Sequence, residues 1–290
     1  DVTVMITYFH NIEAVEDGGA IYITGQRGKL YNSNFTNNTV GDDGGAIYWE
    51  GNYGDIYNIV CINNNGTGDG LGNHSSTKGG TMIINGNHTT VSKSSFANSY
   101  AAILGGTIYV TGNDVNITDS SFKNSTVGNS TGGAIHILGN GTGILNCIIE
   151  DTFAPENGGA IFVEGNNATI TAKFRNTNAT TSGGSIYVDG NNTWIINSTF
   201  DNTYAFGHDG NGGGAIYVEG QSATIEKSNF THTYANRNNL ARGGAIFIHG
   251  NNTDVIESNF KEAHSNIQGG AIYVNGINAT INGSQFDTCS

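Results

Sequence analysis

The chain has 290 residues, only 12% of them charged, yet acidic side chains outnumber basic ones enough to give a net charge of −13. That balance excludes nucleic acid as a partner, because a phosphate backbone needs clustered Lys and Arg. No apolar run is long enough for a membrane-spanning helix, and three cysteines are too few for a disulfide framework.

Taken in chain order, the sequence opens on Val4 and Phe9 and then settles into a repeat. Gly-Gly pairs begin at Gly18, Gly44, Gly79, Gly105, Gly132, Gly158, Gly183, Gly213, Gly243 and Gly269, at intervals of 26, 35, 26, 27, 26, 25, 30, 30 and 26 residues. A recurrence of this length marks a solenoid, in which each unit buries its apolar face only against its neighbours. Each pair opens a short segment such as AIYI, AIYW, AIFV or AIYV. The strict alternation predicts a strand. Its apolar set, almost all aliphatic (Ile21 and Ile23, Ile47 and Trp49, Ile216 and Val218), faces the core. The opposite set, small then aromatic (Ala20 and Tyr22, Ala46 and Tyr48, Ala160 and Phe162, Ala215 and Tyr217, Ala271 and Tyr273), faces outward.

An unbroken glycine column follows each strand, from Gly25 and Gly51 to Gly276, with Asn or Gln usually next. Glycine admits positive φ at a corner, and Asn can bond its own backbone or stack on the Asn above. A second strand then buries Val4, Leu30, Ile56, Val91, Ile117, Ile144, Ile195, Ile225, Val255 and Ile281. It ends at a bulky landmark: Phe35, Cys61, Phe96, Phe122, Ile149, Phe174, Phe200, Phe230, Phe260 and Phe286. The landmark stands 17 residues after the first glycine in every unit except that of Phe174, where the distance is 16. Length variation concentrates between landmark and next Gly-Gly, so the insertions 62–78, 201–212 and 231–242 should share one side, with Tyr204 and Tyr234 in equivalent places. Cys61 and Cys147 read as core fillers. The expected fold is all-β, a single-chain parallel β-helix solenoid of about ten coils, roughly 26 residues per coil. It forms one domain over 1–290, uncapped at both ends, and without an initiator Met the chain reads as a processed or excised segment. At about 4.8 Å per coil the rod is about 50 Å long.

The pattern Gly-Gly-Ala-Ile-Tyr followed by Asn-Ser-x-Phe resembles the repeats of adhesin-like surface proteins of methanogenic archaea. It is more distantly similar to the repeats of chlamydial polymorphic outer-membrane proteins. Phe35-Thr36-Asn37-Asn38 and Asn197-Ser198-Thr199-Phe200 carry the resemblance, which spans the chain. It implies an extracellular, cell-anchored protein and supplies no catalytic residues.

Three sets of residues are candidates for chemistry. The outward column Tyr22, Tyr48, Tyr109, His136, Phe162, Tyr187, Tyr217, Phe247 and Tyr273 forms a flat strip suited to glycans or to a second copy; cross-coil stacking that only stabilises the ladder is the alternative. Stacked carboxylates at Glu164, Asp189 and Glu219, with His249 and Glu50 in the same column, offer a Ca²⁺ site or an acid/base pair. Asp17 and Glu16 above Asp43 and Asp42 offer another, and the Asp/Gly-rich stretch 65–78 is a weaker calcium signal; solvated turn charge is the alternative for each. Finally, 17 of the 41 Asn residues open Asn-x-Ser/Thr sequons, including Asn34, Asn87, Asn116, Asn167, Asn191, Asn251 and Asn278. Either glycosylation or the turn requirements of the repeat account for that excess.

No catalytic motif stands in a suitable context, and no resident cofactor is expected beyond possible Ca²⁺ binding. The sequence therefore reads as a non-catalytic, extracellular cell-surface rod for adhesion or self-assembly. Its partners are other copies of itself, or cell-surface glycans or proteins. The alternative is a carbohydrate-active β-helix enzyme, a polysaccharide lyase or glycoside hydrolase, which would need a carboxylate–Lys/Arg cleft.

Overall fold

The Gly-Gly segments become ten three-residue strands, from Ile21–Ile23 and Ile47–Trp49 to Ile246–Ile248 and Ile272–Val274, in one sheet whose order follows the coils. Equivalent residues pair directly: Ile21 with Ile47, Tyr22 with Tyr48, Ile23 with Trp49. The remaining strands form a second parallel sheet. The computed structural model describes residues 1–66, 76–207, 211–236 and 241–290. It is an all-β parallel solenoid of about ten turns, about 26 residues apart, with no helix among the described residues.

Burial follows the columns. Ile47, Met82, Ile108 and Ile135 face Leu30, Ile56, Val91 and Ile117 across the coil, all fully buried, while the end members Ile21 and Ile272 are partly so. Stacking is tightest among the landmarks, where Phe200 and Phe230 have ring centroids 4.7 Å apart and planes within 2°. Cys61 fills one rung of that column between Phe35 and Phe96. Ile170, absent from the predicted aliphatic column, completes it between Ile144 and Ile195.

The structure corrects three expectations. First, Ala46, Ala160 and Ala215 point into the core and not outward with the rings. At the strand entrance the amides of both Ala46 and Ile47 donate to the Thr81 carbonyl, at 2.9 and 3.0 Å. The chain is therefore turning a corner there, and two successive side chains face inward.

Second, the glycine column at Gly51 and its equivalents does not carry the positive φ. A Cβ on Gly51 would lie 1.9 Å from the Gly25 carbonyl oxygen, so close approach of the preceding coil is what excludes a side chain. The left-handed residue comes two positions later, as at Tyr53 (φ +57°) and His88 (φ +53°). Between glycine and corner the Asn ladder does form, with the Asn87 amide donating to Asn52 Oδ1 at 2.7 Å and that of Asn113 to Asn87 Oδ1 at 2.8 Å.

Third, the second strand is usually two, Lys29–Tyr31 and Asn34–Thr36, split by a left-handed residue such as Asn32. Two runs are continuous: Gly143–Ala154, which keeps the left-handed Asn146 within it, and the run where the landmark spacing is one residue short. There Thr169–Ala179 runs unbroken, and the register against its neighbour shifts between Leu145 and Cys147. The missing residue is the one that would have turned the corner.

Parts of the insertions 62–78, 201–212 and 231–242 are strand: Thr199–Ala205 and Asn229–Ala235 pair in register, with Tyr204 opposite Tyr234. Positions 67–75, 208–210 and 237–240 lie outside the described residues, and with them most of the 65–78 stretch read as a calcium signal.

A buried polar column stands three residues after the landmarks, including Asn64, Ser99, Ser125, Thr152, Thr177, Thr203 and Thr233. Where the residue after Gly-Gly is Thr or Ser, hydroxyls pair: Thr81 with Ser99 at 2.8 Å, Thr107 with Ser125 and Ser185 with Thr177 at 2.6 Å. Among the described residues the hydroxyls of Thr152, Thr203 and Thr233 have no partner, and Ala134, Ala215 and Ala245 stand where the facing hydroxyl would be. Ala215→Ser should supply a partner for Thr203 or Thr233 and raise stability by about 1 kcal/mol, read as a higher urea midpoint. Ile216→Asp, one residue on, buries an unpaired carboxylate in the aliphatic column. It should cost several kcal/mol, and a Tm close to the parent's would contradict the inward assignment.

Candidate functional site: the outer aromatic column and its acidic wall

Each three-residue strand turns its first and last side chains inward, so its middle one stands on the outer side of the ten-stranded sheet. Register places Tyr22, Tyr48, Ile83, Tyr109, His136, Phe162, Tyr187, Tyr217, Phe247 and Tyr273 on successive rungs. Ile83 interrupts the rings. From His136 to Phe247 they form a continuous stack, with centroids 4.8 to 5.0 Å apart.

This stacking alters the expected flat strip. His136, Phe162, Tyr217 and Phe247 are buried, whereas Tyr22 is 47% exposed and Tyr48, Tyr109, Tyr187 and Tyr273 are intermediate. Ring faces meet ring faces, so the middle of the column has no free face for a sugar. What it offers a partner is phenol edges and hydroxyls at the less buried rungs.

Two walls flank the rings. On one side stand the residues two positions after each ring. The Tyr22 hydroxyl donates to Glu50 Oε1 at 2.8 Å, and Asn85 Nδ2 donates to the Tyr48 hydroxyl at 2.9 Å. On the other side, Lys78 Nζ lies 5.6 Å from the Tyr109 ring centroid and the Arg242 guanidinium 5.3 Å from that of Tyr273. The hydrogen bond to Glu50 pushes the Tyr22 phenol up to about 12. Burial, reinforced by the Glu219 charge, raises Tyr187 and Tyr217 well above the ordinary phenol range.

The acidic ladder is divided among partners. His136 Nε2 lies 3.1 Å from Glu164 Oε1, and this hydrogen bond holds the Glu164 carboxyl below its usual range. His249 Nε2 approaches Glu219 Oε1 at 3.8 Å. Asp189, between them, is raised by burial first and by the Glu164 and Glu219 charges second. These three carboxylates do not converge. Among the described residues, Asp17, Asp42 and Asp43 are the acidic set whose ligand atoms all lie within 4.8 Å of one another. Asp43 Oδ1 there accepts the Lys78 amide at 2.7 Å, with Lys78 Nζ 4.0 Å from Oδ2. Burial pushes Asp43 up to about 6.

His136 also lies 3.0 Å from the Thr131 hydroxyl through Nδ1. The order Thr131–His136–Glu164 is that of a hydroxyl, a base and an orienting carboxylate. However, Thr131 and His136 are buried, and the amides of Gly132 and Gly133 already donate to the Asn157 and Gly158 carbonyls. Neither amide is free to stabilise an oxyanion.

None of the seven named sequon asparagines is buried: Asn167, Asn191 and Asn278 are exposed, and Asn34, Asn87, Asn116 and Asn251 are partly so. No protein-family model matches the chain, and no curated protein matches it.

Asp43→Asn keeps an acceptor for the Lys78 amide while removing the charge. Because the folded carboxyl is raised from 3.8 to about 6, the folded state binds the proton more tightly and its stability falls as pH rises through that window. The variant should therefore be more stable at pH 7, by about 1 kcal/mol after allowance for solvent screening, and the advantage should vanish below the lower value. Thermal melts across the window check this. A Ca²⁺-dependent rise in Tm that Asp43→Asn abolishes would instead identify the three aspartates as a cation site.

Proposed function

We propose that the chain is a non-catalytic β-helix rod of an extracellular cell surface, serving adhesion or the assembly of a surface filament or layer. The observation that carries this reading is repetition along one line, with the same outer register occupied by a ring on every rung from Tyr22 to Tyr273 except that of Ile83. Contacts that are individually weak gain avidity when a stiff body repeats them at about 4.8 Å spacing. The resemblance of the repeats to adhesin-like surface proteins supports the reading, as do sequon asparagines open to solvent. The partners are other copies, side by side or head to tail, or cell-surface glycans or proteins. Apolar side chains are exposed on the terminal coils, Tyr8 at 76% and Phe286 at 49%. A coil docked on Phe286 would continue the stacked Phe column, whether it belonged to a second copy or to a further part of the same protein.

One observation favours the second reading, a carbohydrate-active enzyme: the hydrogen-bonded series Thr131, His136 and Glu164. Release of reducing or unsaturated sugar ends from polysaccharides, lost in His136→Ala, would establish it.

For the adhesive reading, Tyr22, Tyr48, Tyr109, Tyr187 and Tyr273 are replaced together by Ser, leaving the buried Tyr217 in place. The parent is expected to form bundles or fibres by negative-stain microscopy, or to bind cells, and the variant to remain as separate rods with an unchanged β spectrum. Equal adhesion and assembly in both would reduce the rod to a passive spacer.

A further inference from the structure

A second line of outward side chains runs along the other sheet, four residues after each landmark. Register sets Thr126, Phe153, Asn178, Tyr204, Tyr234 and His264 on successive rungs. Here the aromatic ladder is broken. Asn178 occupies the rung between Phe153 and Tyr204, which are two coils and hence about 9.6 Å apart. Phe153, Asn178, Asn202, Tyr204 and Phe206 line an open cleft of about 520 Å³ at this position.

The groups around the cleft are uncommitted in a way those of the outer column are not. Phe153 is 37% exposed and, among the described residues, touches no other ring. Phe206 is 38% exposed and stands edge-on to Tyr204, with centroids 4.7 Å apart at 66°. Tyr204 is anchored by its hydroxyl, which donates to the Asn236 carbonyl at 2.6 Å. Among the described residues the Asn178 side-chain amide has no hydrogen-bond partner, unlike that of Asn202, whose Nδ2 donates to Asn176 Oδ1 at 2.8 Å. Near the cleft Glu150 pairs with Arg175 at 2.9 Å and Asp151 with Lys123 at 4.0 Å, while Lys173, five residues before Asn178, makes no ion pair among the described residues.

We propose that this missing rung is a binding notch for one neutral sugar ring of a glycan. A ring stacked at van der Waals distance needs about 4 Å on each side, which the two-coil gap supplies. Aromatic faces suit the axial C–H face of a pyranose, and the free carboxamide of Asn178 can both donate to and accept from adjacent hydroxyls. Among the described lining residues none carries a charge to match an ionic ligand. The inference deepens the adhesive reading and rests on it in one respect, that the sugar belongs to a surface glycan.

The test reads binding directly. Asn178-Ala179-Thr180 is itself a sequon, so the chain is produced without glycosylation and titrated separately with cellohexaose, mannohexaose and chitohexaose. Calorimetry gives affinity, and NMR follows the Asn178 side-chain amide. Saturable binding of at least one oligosaccharide is expected, with that amide shifting on titration. Asn178→Phe should restore the rung, keep or raise Tm, and weaken binding by about tenfold or more. Phe153→Ala should weaken it similarly and decides the matter if the first variant fails to fold. Binding of none of the three sugars, or unchanged binding in the folded notch variants, overturns the proposal. The outer-column Ser variant should bind oligosaccharide like the parent, whereas the notch variants should bundle like the parent, so failure of one reading is distinguishable from failure of the other.

Discussion

Every coil must set its side chains directly on their equivalents in the coil before, about 4.8 Å away. A three-residue strand such as Ile47–Trp49 has no independent stability; it persists because both edges are paired and both of its faces continue columns. The rest follows from this demand for vertical identity. Flat rings can repeat at that spacing, as in the Phe200–Phe230–Phe260 stack. Amides can repeat because each carboxamide both donates and accepts, as in the series Asn37, Asn63, Asn98 and Asn124. Bare carboxylates repeat poorly, and this explains why Glu164 and Glu219 are met by His136 and His249.

The same demand explains how much could be read without coordinates. The core columns were legible because one residue type must recur at one register. Hidden features lay where the backbone departs from simple alternation. Ala46 faces inward because the strand entrance turns a corner, and no periodicity of two encodes that. The regular spacing of the Gly51 column suggests a left-handed corner, but carbonyl crowding by the preceding coil produces the same pattern. The one-residue shortfall before Phe174 was visible as a number; only the structure shows it as a straightened corner with a register shift.

The candidate site was partly legible for the same reason. The ring column was visible by register, yet its burial was not, since sequence spacing does not distinguish a ring with a free face from one covered by its neighbours. Asp17 and Asp43 were found because they recur one coil apart, and the convergence of Asp42 with them needed the loop geometry. Phe153 and Asn178 escaped notice because the register beyond the landmark leads into segments of variable length. A signal did exist there: in the column Tyr100, Thr126, Phe153, Asn178, Tyr204 and Tyr234, the rings are interrupted twice, by a hydroxyl at Thr126 and by an amide at Asn178. Stacking thus uses ring faces wherever the ladder is complete and leaves them available where it is broken.

If coil-on-coil identity is what specifies the fold, the chain should tolerate removal of a whole coil and not of part of one. Deleting 132–157 removes one 26-residue period, from Gly132 up to the next pair at Gly158, and brings equivalent registers back together. Deleting 132–144 removes half a period and sets aliphatic columns against outward ones. Urea unfolding with β-sheet circular dichroism should show a cooperative, folded solenoid of slightly lower stability for the first and no native transition for the second. Comparable stability in both variants, or collapse of both, would contradict the account.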